Sequence, residues 1–256
     1  TVTLRDLVFD GLAGGGNDAN PGLVVLRDCD RIEIDGVRLV GGMNGAHLER
    51  CSGRVANLEV EAARDNGLFA LDSRGLALTG NRITNCGNGG IRVWKSEGNP
   101  QPDATLVADN FIAGIRADGG GNGQNGNGIN VYRADAVVVR GNRLMQCAFS
   151  AVRLNASQDT IVSENVCLDS GEVAIFSEFG FSGSVIADNV VDRAAQGISI
   201  TNFNDGGRLA TCTGNVVRNI APRSLVNPDT TPAGIFAEAD AVVANNVVEN
   251  VPGVGI

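Results

Sequence analysis

The 256-residue sequence contains few of the residues from which metal and aromatic sites are usually built. It has one histidine, two methionines, one tryptophan and one tyrosine, and aromatic residues make up 4% of the chain. Six cysteines are present, but no Cys-x-x-Cys pair occurs. This composition argues against a histidine-rich or cysteine-rich metal centre. Acidic side chains could bind calcium, yet no Asp-x-Asp-x-Asp loop is found, so the sequence predicts no metal and no other cofactor.

Long apolar runs and helical periodicity are also missing. No stretch approaches the roughly 18 consecutive apolar residues of a membrane span, and no charged-then-apolar leader begins the sequence. The 35 glycines and the supply of Val, Ile, Asn and Asp favour strands and turns over helices. The net charge of −9 argues against nucleic-acid and anionic-membrane partners, because such surfaces repel an acidic protein.

Two short phrases recur through the chain. The first joins an asparagine to apolar residues, as in Gly80-Asn81-Arg82-Ile83, and the second follows Gly90-Ile91-Arg92-Val93. The asparagines of the first phrase are Asn57, Asn81, Asn110, Asn142, Asn165, Asn189, Asn215 and Asn246. The second phrase recurs every 22 or 23 residues except at two insertions. A fixed period of this size predicts a solenoid in which each repeat covers the apolar face of its neighbour.

The repeat predicts a parallel β-helix of about ten coils, folded as a single domain over residues 1–256. Two or three short strands per period fit stacked β-coils better than a leucine-rich horseshoe, whose Leu-x-x-Leu-x-Leu pattern is missing. Coils stack about 4.8 Å apart, so each residue lies above its copy in the next coil. The inward column is predicted to contain Ile83, Ile112, Leu144, Cys167, Val191, Val217 and Val248. The asparagines are predicted to form a structural ladder at a bend, in preference to a polar binding strip.

The Gly-Ile-x-Val phrases and the asparagine column resemble the right-handed parallel β-helix proteins of the pectin-lyase-like class. The repeated Gly-Asn-x-Ile/Val wording and the acidic composition are similar to the twin-arginine-exported bacterial repeat proteins. This resemblance covers nearly the whole chain and implies a right-handed coil, export to the periplasm, cell surface or exterior, and an acidic polysaccharide as partner. Proteins of the class often act as lyases, epimerases or hydrolases. Their Asp-Pro-His-Asp and Asn-Thr-Asp with His-Gly signatures are absent here, so the resemblance carries no activity. The sequence begins and ends within a repeat, and we expect it to be part of a longer chain.

The outward positions of the second phrase depart from strict repetition. With Ile and Val pointing inward, its third and fifth positions face solvent. They hold Arg92 and Trp94, Asn130 and Tyr132, Arg153 and Asn155, Phe176 and Glu178, and Ser199 and Thr201. The only Trp and the only Tyr thus fall at one position of consecutive coils, where aromatic faces suit sugar rings and neighbouring arginines suit carboxylates. The alternative is a cross-strand aromatic pair that only stabilises the sheet.

Four insertions surround this outward column. Residues 113–127 and 219–233 lead into it, and residues 96–104 and 202–208 follow it. Binding function concentrates in loops carried on a rigid scaffold, so the sequence predicts a groove between loop walls. The predicted substrate-binding residues are Arg92, Trp94, Lys95, Tyr132, Arg133, Asn155, Thr201 and Asn202.

Arg153 and Glu178 are the predicted catalytic residues. Glu178 is the better acid or base on chemistry alone, whereas arginine is normally locked in its protonated form. Only the resemblance to pectate-type lyases, whose base is thought to be arginine, suggests that role for Arg153. Hydrolysis needs two carboxylates facing one bond, and the sequence offers no clear partner for Glu178. The leading hypothesis is an exported protein that binds, and could modify, an acidic polysaccharide; the alternative is a non-catalytic surface or adhesion scaffold that binds glycan or protein.

The cysteines and the histidine give weaker indications. Cys29 and Cys51 fall at similar distances after their phrase glycines, so a disulfide between adjacent coils depends on their geometry. Cys167 and Cys212 occupy apolar columns and are predicted to be core thiols. His47 falls at an outward position, where a plain surface residue is favoured over a functional one.

Overall fold

The structure is a computed structural model that describes residues 1–11, 21–96, 102–121, 123–201, 207–223, 230–238 and 240–256. Within these ranges the chain forms strands, turns and bends, and none of it is helical. No helix that could cross a membrane occurs in this part of the chain. Neighbouring strands pair in parallel throughout, as in the pairing of Ile83 with Ile112. The predicted all-β architecture is confirmed.

All coils but the last contribute strands to three faces, here named sheets A, B and C, whereas the last contributes strands to the first two. Sheet A consists of β1 (Val2–Arg5), β4 (Ile32–Asp35), β7 (Gly53–Ala56), β10 (Leu76–Thr79), β13 (Leu106–Ala108), β16 (Val138–Arg140), β19 (Ile161–Ser163), β21 (Ser182–Ala187), β23 (Arg208–Thr213) and β26 (Ala241–Ala244). Sheet B consists of β2 (Val8–Asp10), β5 (Arg38–Val40), β8 (Glu59–Glu61), β11 (Arg82–Thr84), β14 (Phe111–Ile115), β17 (Arg143–Cys147), β20 (Val166–Glu178), β22 (Val190–Thr201), β24 (Val216–Arg218) and β27 (Val247–Glu249). Sheet C consists of β3 (Gly22–Arg27), β6 (Asn44–Glu49), β9 (Asn66–Leu71), β12 (Gly89–Trp94), β15 (Asn127–Tyr132), β18 (Val152–Asn155), the second halves of β20 and β22, and β25 (Ile235–Ala237).

Sheet A contains ten strands, so the described residues form ten coils, numbered here by their sheet A strand. This agrees with the number predicted from the repeat. The long strands β20 and β22 run from sheet B into sheet C in coils 7 and 8, and their pairing register shifts between Ser170 and Val173. The ten strands of sheet A pair in sequence, so the described coils form one continuous stack.

The core lies between the three sheets and is built from stacked apolar columns. Alternation places Ile32 and Ile34 of β4 inside, while Glu33 and Asp35 point outward. In sheet B the pairing register stacks Ile83, Ile112, Leu144, Cys167, Val191, Val217 and Val248, which is the predicted inward column. Its members are fully buried except Val248, which packs against the core from the last coil. Each coil thus buries the apolar face of its neighbours.

The bend between sheets A and B carries an asparagine ladder. Its members are Asn81, Asn110, Asn142, Asn165, Asn189, Asn215 and Asn246. Each side-chain Oδ1 accepts the backbone N–H of the residue below it, and each Nδ2 donates to a strand carbonyl, as Asn165 does to Val139 at 3.0 Å. These bonds satisfy buried backbone groups that the bend leaves unpaired. The ladder is structural, as predicted.

One predicted member, Asn57, lies outside the ladder. The register aligns it with Gly80, one residue before the ladder position, which Leu58 occupies in that coil. Asn57 has a φ of 50° and donates to Asp35 Oδ1 at 2.7 Å. Residues at this preceding position adopt the left-handed conformation, which Gly, Asn and Asp tolerate best. The phrase Asn57-Leu58 therefore resembles the repeat in sequence but is shifted by one residue.

The cysteines are free thiols. Cys29 is half-buried and donates to Arg27 O at 3.1 Å, whereas Cys51 in the next coil is buried and donates to Leu26 O at 3.4 Å. Cys167 and Cys212 lie in the core, as predicted.

Candidate functional site

The outward face of sheet C brings the predicted site residues into two parallel columns. Trp94 pairs with Tyr132, Tyr132 with Asn155, and the same column continues through Glu178 to Thr201. The neighbouring column runs through Arg92, Asn130, Arg153, Phe176 and Ser199. The repeat positions therefore gave the correct register for both columns.

A pocket of about 410 Å³ opens on this face between coils 4 and 7. It is lined by Trp94, Gly123, Gln124, Asn130, Tyr132, Arg153, Asn155 and Phe179, and this set is called the aromatic pocket below. Its volume falls within the range of small-molecule sites in proteins. The predicted residues that line it are Trp94, Tyr132, Asn155 and Arg153.

The aromatic rings form a column that continues beyond the pocket. His47 contacts Phe69 edge to face at a centroid distance of 5.2 Å, and Phe69 contacts Trp94 in the same way at 5.5 Å. Trp94 and Tyr132 are tilted by 55° with centroids 5.4 Å apart. Such contacts stabilise the sheet, and they also fix the two half-exposed rings that form one wall of the pocket.

His47 is buried, although its outward position predicted a surface residue. The residue is 7% exposed, and its Nε2 lies 3.9 Å from Glu49 Oε2. Burial lowers the pKa of His47, Glu49 raises it and Arg27 lowers it. The sequence could not show that Phe69 covers this ring.

The insertion before β15 folds over the sheet as a roof. Arg92, buried beneath it, donates from Nη2 to Gln124 O at 2.9 Å and to Asn125 Oδ1 at 2.6 Å. Asn127 donates to Gly123 O at 2.7 Å. Burial lowers the pKa of Arg92, and Asp65 opposes this effect. Arg92 was predicted to bind substrate, but in this structure it holds the loop in place.

Gly123 forms the part of the roof above Arg153. Its φ is 145°, and a Cβ at this position would lie 2.2 Å from Arg153 Nη1. A side chain here would therefore displace the guanidinium or the loop. Only a residue without a side chain lets the roof approach Arg153 so closely.

Arg153 and Glu178 form a buried two-point ion pair at the pocket floor. Arg153 Nε donates to Glu178 Oε1 at 2.6 Å and Nη2 donates to Oε2 at 2.9 Å. Asn155 Nδ2 also donates to Glu178 Oε1 at 2.6 Å. On its other side, Arg153 Nη1 lies 3.3 Å from Glu172 Oε2, and the guanidinium lies 4.9 Å from the ring centre of Phe176. Two-point bonds between arginine and carboxylate hold the guanidinium in a fixed orientation, in addition to stabilising the pair of charges.

This pairing changes the interpretation of the two predicted catalytic residues. Glu178 accepts hydrogen bonds from three donors, is 3% exposed and does not line the aromatic pocket. Both carboxylate oxygens of Glu178 already accept hydrogen bonds, which fixes its orientation toward Arg153 and Asn155. Arg153 is bound by two carboxylates and is not placed to act as a base. The geometry makes Glu178 a residue that positions Arg153 and Asn155.

The remaining predicted binding residues lie at or beyond the margin of the pocket. The Arg133 guanidinium lies 5.0 Å from the centre of the Tyr132 ring, outside the pocket lining. Lys95 is buried in the bend after β12, where its Nζ lies 3.2 Å from Asp103 Oδ2. Thr201 lines a second pocket, and Asn202 lies outside the described residues.

Lys95 is buried because it pairs with a buried carboxylate. Its partner Asp103 is 1% exposed, and burial raises the pKa of Asp103, while Thr105 and Lys95 lower it. A buried carboxylate requires a close cation. Lys95 therefore satisfies an internal charge.

The sequence did not indicate that Glu172, Phe179 and the roof residues Gly123 and Gln124 belong to the site. The length of the insertion indicated a loop near the site. Nothing in its composition showed which of its residues would contact Arg92 and Arg153.

Comparison with known structures shows the same fold in an alginate lyase, an alginate epimerase and a tailspike protein. An alginate lyase from Paenibacillus sp. str. FPU-7 superposes with a TM-score of 0.60 at 14% identity, over 92% of this chain and 80% of the lyase chain. The periplasmic alginate epimerase AlgG gives 0.56 at 12% identity, over 83% and 60%, and the Dettilon tailspike gives 0.51 at 14% identity, over 96% and 56%. This chain thus spans less than two thirds of the epimerase and the tailspike. A comparison with curated protein sequences finds no match.

Two family profiles match the sequence, each over more than half of its length. Residues 14–149 match the family described as periplasmic copper-binding protein (NosD), and residues 120–256 match the family described as right handed beta helix region. The second of these matches agrees with the right-handed coil that the resemblance implied, and the three structures share the fold. The chain therefore belongs to the right-handed parallel β-helix superfamily, with its first half in the NosD family and its second half in the β-helix region family.

Proposed function

We propose that this protein binds an acidic polysaccharide in the aromatic pocket. The observation that carries the proposal is that the half-exposed rings of Trp94 and Tyr132 line the same pocket as Arg153 and Asn155. Aromatic faces pack against the apolar faces of sugar rings, and amide and guanidinium groups bind their oxygens. The coil spacing of about 4.8 Å extends this arrangement over roughly 15 Å from coil 4 to coil 7. A ligand of several sugar residues fits this length.

The acidic character of the ligand is proposed from the arginines. Arg153 uses three of its five N–H groups on Glu178 and Glu172. The other two are available to a carboxylate in the pocket that Arg153 lines. Arg133 provides a second positive charge beside Tyr132. With two glutamates against one arginine this cluster is net negative, so a ligand carboxylate is held by the two remaining N–H groups of Arg153 and not by the net charge of the cluster.

Recognition is the role that the ion pair supports best. Glu178 holds Arg153 and Asn155 in fixed positions, and a rigid binding group loses less entropy when ligand binds. The second candidate function is modification of an acidic polysaccharide by a lyase or epimerase reaction. It is favoured by the contact between Arg153 and Glu178 beside the pocket, and it requires one of their bonds to open in the bound complex.

We also propose that the protein is exported. The NosD family is described as periplasmic, and the alginate epimerase with the same fold is periplasmic as well. The family description also names copper. No group of three or more His, Cys, Asp or Glu side chains suited to a metal ion occurs among the described residues, and His47 is buried against Phe69. This donor set does not fit copper, and the proposed function involves none.

The binding proposal is tested with the chain's only tryptophan as reporter. Tetragalacturonate and the neutral tetrasaccharide cellotetraose are titrated into the protein while Trp94 fluorescence is followed. Tyr132→Leu should weaken uronate binding about fivefold, because aromatic contacts are worth about 1 kcal/mol. Phe111→Leu is the matched control, since an arginine also covers this ring but on sheet B. Equal affinity of the two variants would move the site away from sheet C.

The acidic preference and the chemistry need separate measurements. Arg153→Lys keeps the charge but loses the guanidinium fork, so uronate binding should weaken more than neutral-sugar binding. Formation of unsaturated uronate, followed by absorbance, measures lyase turnover. The recognition proposal expects none, whereas turnover that Glu178→Gln abolishes would establish the lyase alternative.

A further inference from the structure

A second pocket lies on the same face of sheet C, in coils 7 to 10. It has a volume of about 440 Å³ and is called the acetamido pocket below. Val173, Phe176 and Phe236 form its apolar surface, and Gln196 and Thr201 contribute polar groups. Phe236 is 38% exposed, so its ring is open to a ligand. The described lining contains no cationic side chain.

Thr201 provides an independent indication of a ligand. Its residue is 2% exposed, and its Oγ1 has no hydrogen-bond partner among the described residues. A buried hydroxyl without a partner costs about 1–3 kcal/mol, and an unpaired group of this kind calls for an explanation. Thr201 lines the pocket, and the proposal requires its hydroxyl to turn toward a ligand carbonyl that accepts its hydrogen bond there.

The two pockets share a wall. Arg153 lines the aromatic pocket, and its guanidinium contacts Glu172 at 3.3 Å and lies 4.9 Å from the Phe176 ring centre. Glu172 and Phe176 line the acetamido pocket on the other side. From coil 4 to coil 10 the two sites extend over about 29 Å at the usual coil spacing. One extended glycan can therefore reach both.

The chemistry of the second pocket differs from that of the first. A uronate carboxylate in this pocket would be repelled by the Glu172 carboxylate. The described lining contains no cation to offset this repulsion, and the nearby Arg153 is already bound by Glu172. An acetamido group fits better. Its methyl group can pack against Val173, Phe176 and Phe236, while its carbonyl accepts from Thr201 and its N–H donates to the Gln196 amide oxygen.

We propose that the acetamido pocket binds an N-acetylated sugar residue of the same polysaccharide whose acidic residue occupies the aromatic pocket. The proposal rests on the proposed function and makes it more specific. The protein then recognises a heteropolysaccharide in which uronate and N-acetylhexosamine residues alternate. A polymer of uronate alone fills only the first site.

Three tetrasaccharides test this proposal. The first alternates glucuronate and N-acetylglucosamine, the second is tetragalacturonate, and the third is tetra-N-acetylchitotetraose. Each is titrated calorimetrically and by Trp94 fluorescence, which reports the aromatic pocket alone because the chain has one tryptophan. The alternating compound should bind at least about fivefold more tightly than tetragalacturonate, since one added hydrogen bond contributes about 1 kcal/mol.

Thr201→Val provides the sharpest variant. It removes the unpaired hydroxyl and keeps the shape, so the protein should be as stable as the wild type or more stable. Affinity for the alternating compound should fall about fivefold, while affinity for tetragalacturonate stays unchanged. Phe236→Ala should have the same selective effect, and Leu209→Ala is the control at an exposed residue outside both pockets.

The outcomes separate the two proposals. If tetragalacturonate changes Trp94 fluorescence but Thr201→Val and Phe236→Ala bind the alternating compound like the wild type, the acetamido pocket is refuted and the proposed function stands. If no uronate compound changes Trp94 fluorescence while chitotetraose binds and loses affinity in Thr201→Val, the acidic site is refuted and the acetamido pocket stands. If Thr201→Val and Phe236→Ala lose affinity for the alternating compound but not for tetragalacturonate, both the proposed function and the acetamido pocket are supported.

Discussion

Replacing Asn165 by alanine is the most direct test of the ladder. Asn165 is fully buried, its Oδ1 accepts from the backbone N–H of Asn142 at 3.0 Å and from Asn142 Nδ2 at 2.9 Å, and its Nδ2 donates to Val139 O and Asn189 Oδ1 at 3.0 Å each. Alanine removes all four bonds. The backbone N–H of Asn142 and the carbonyl of Val139 then lose their ladder partner inside the core.

The magnitude follows from these two backbone groups. Each buried group that loses its partner costs about 1–3 kcal/mol, so the free energy of unfolding should fall by about 2–6 kcal/mol. The two side-chain amides lose less, because Asn142 keeps its bond to Val107 O and Asn189 Oδ1 keeps the backbone N–H of Asn165. Asn165 has no positive φ, so alanine fits its backbone.

Urea unfolding followed by circular dichroism measures the effect. Asn57→Gly is the matched control, since it also removes an asparagine side chain at this bend but from outside the ladder. Glycine occupies the equivalent position of other coils, as Gly80 does, and tolerates the φ of 50°. The control should lose less than about 1 kcal/mol, because its single side-chain bond to Asp35 is exposed. Equal losses in the two variants, or an Asn165→Ala loss below 1 kcal/mol, would refute the assignment of stability to the ladder.

Three further predictions concern titratable groups. Because burial lowers the pKa of His47, the unfolded chain binds the proton first, so stability should fall as the pH drops below about 6.5; His47→Gln should remove this slope in pH-dependent urea unfolding. Burial raises the pKa of Cys86, Cys147 and Cys212 to about 12, so a maleimide should modify half-exposed Cys29 first in the native protein, and mass spectrometry that found a core cysteine labelled earlier would contradict this packing. Lys95→Met should cost about 3–5 kcal/mol by leaving Asp103 buried without its cation, and the double change with Asp103→Asn should recover part of that loss in thermal unfolding; no recovery would exclude the ion pair as the cause.

Much of the fold could be predicted from the sequence because a solenoid repeats its local rules. The alternation of Ile32 to Asp35 fixes which side chains point inward, and the repeat period fixes which residues stack. The one-residue shift at Asn57 shows that the repeat period alone does not always identify which residues stack. In that coil the asparagine, Asn57, occupies the left-handed position, and Leu58 occupies the ladder position. Only the pairing register shows which of the two residues belongs to the ladder column.

The site was less predictable because its geometry depends on contacts between different parts of the chain. Repeat positions placed Trp94, Tyr132 and Asn155 in one outward column. They could not show that Arg153 turns toward Glu178 and Glu172, since these ion pairs join separate coils. They also could not show that Arg92 lies beneath a loop, because the loop has no copy in another coil to reveal its path.

The asparagine ladder restricts how the length of this protein can change in evolution. Every rung between Asn81 and Asn215 makes the same bonds to the coils on either side of it. A duplicated or deleted segment that corresponds to one whole coil leaves each rung with an equivalent neighbour. A segment of any other length within the strands places a different residue at the bend and removes buried partners on two coils. Length within the strands should therefore change in whole coils, whereas the loops over sheet C are free to vary by single residues, and specificity can diverge there without altering the scaffold.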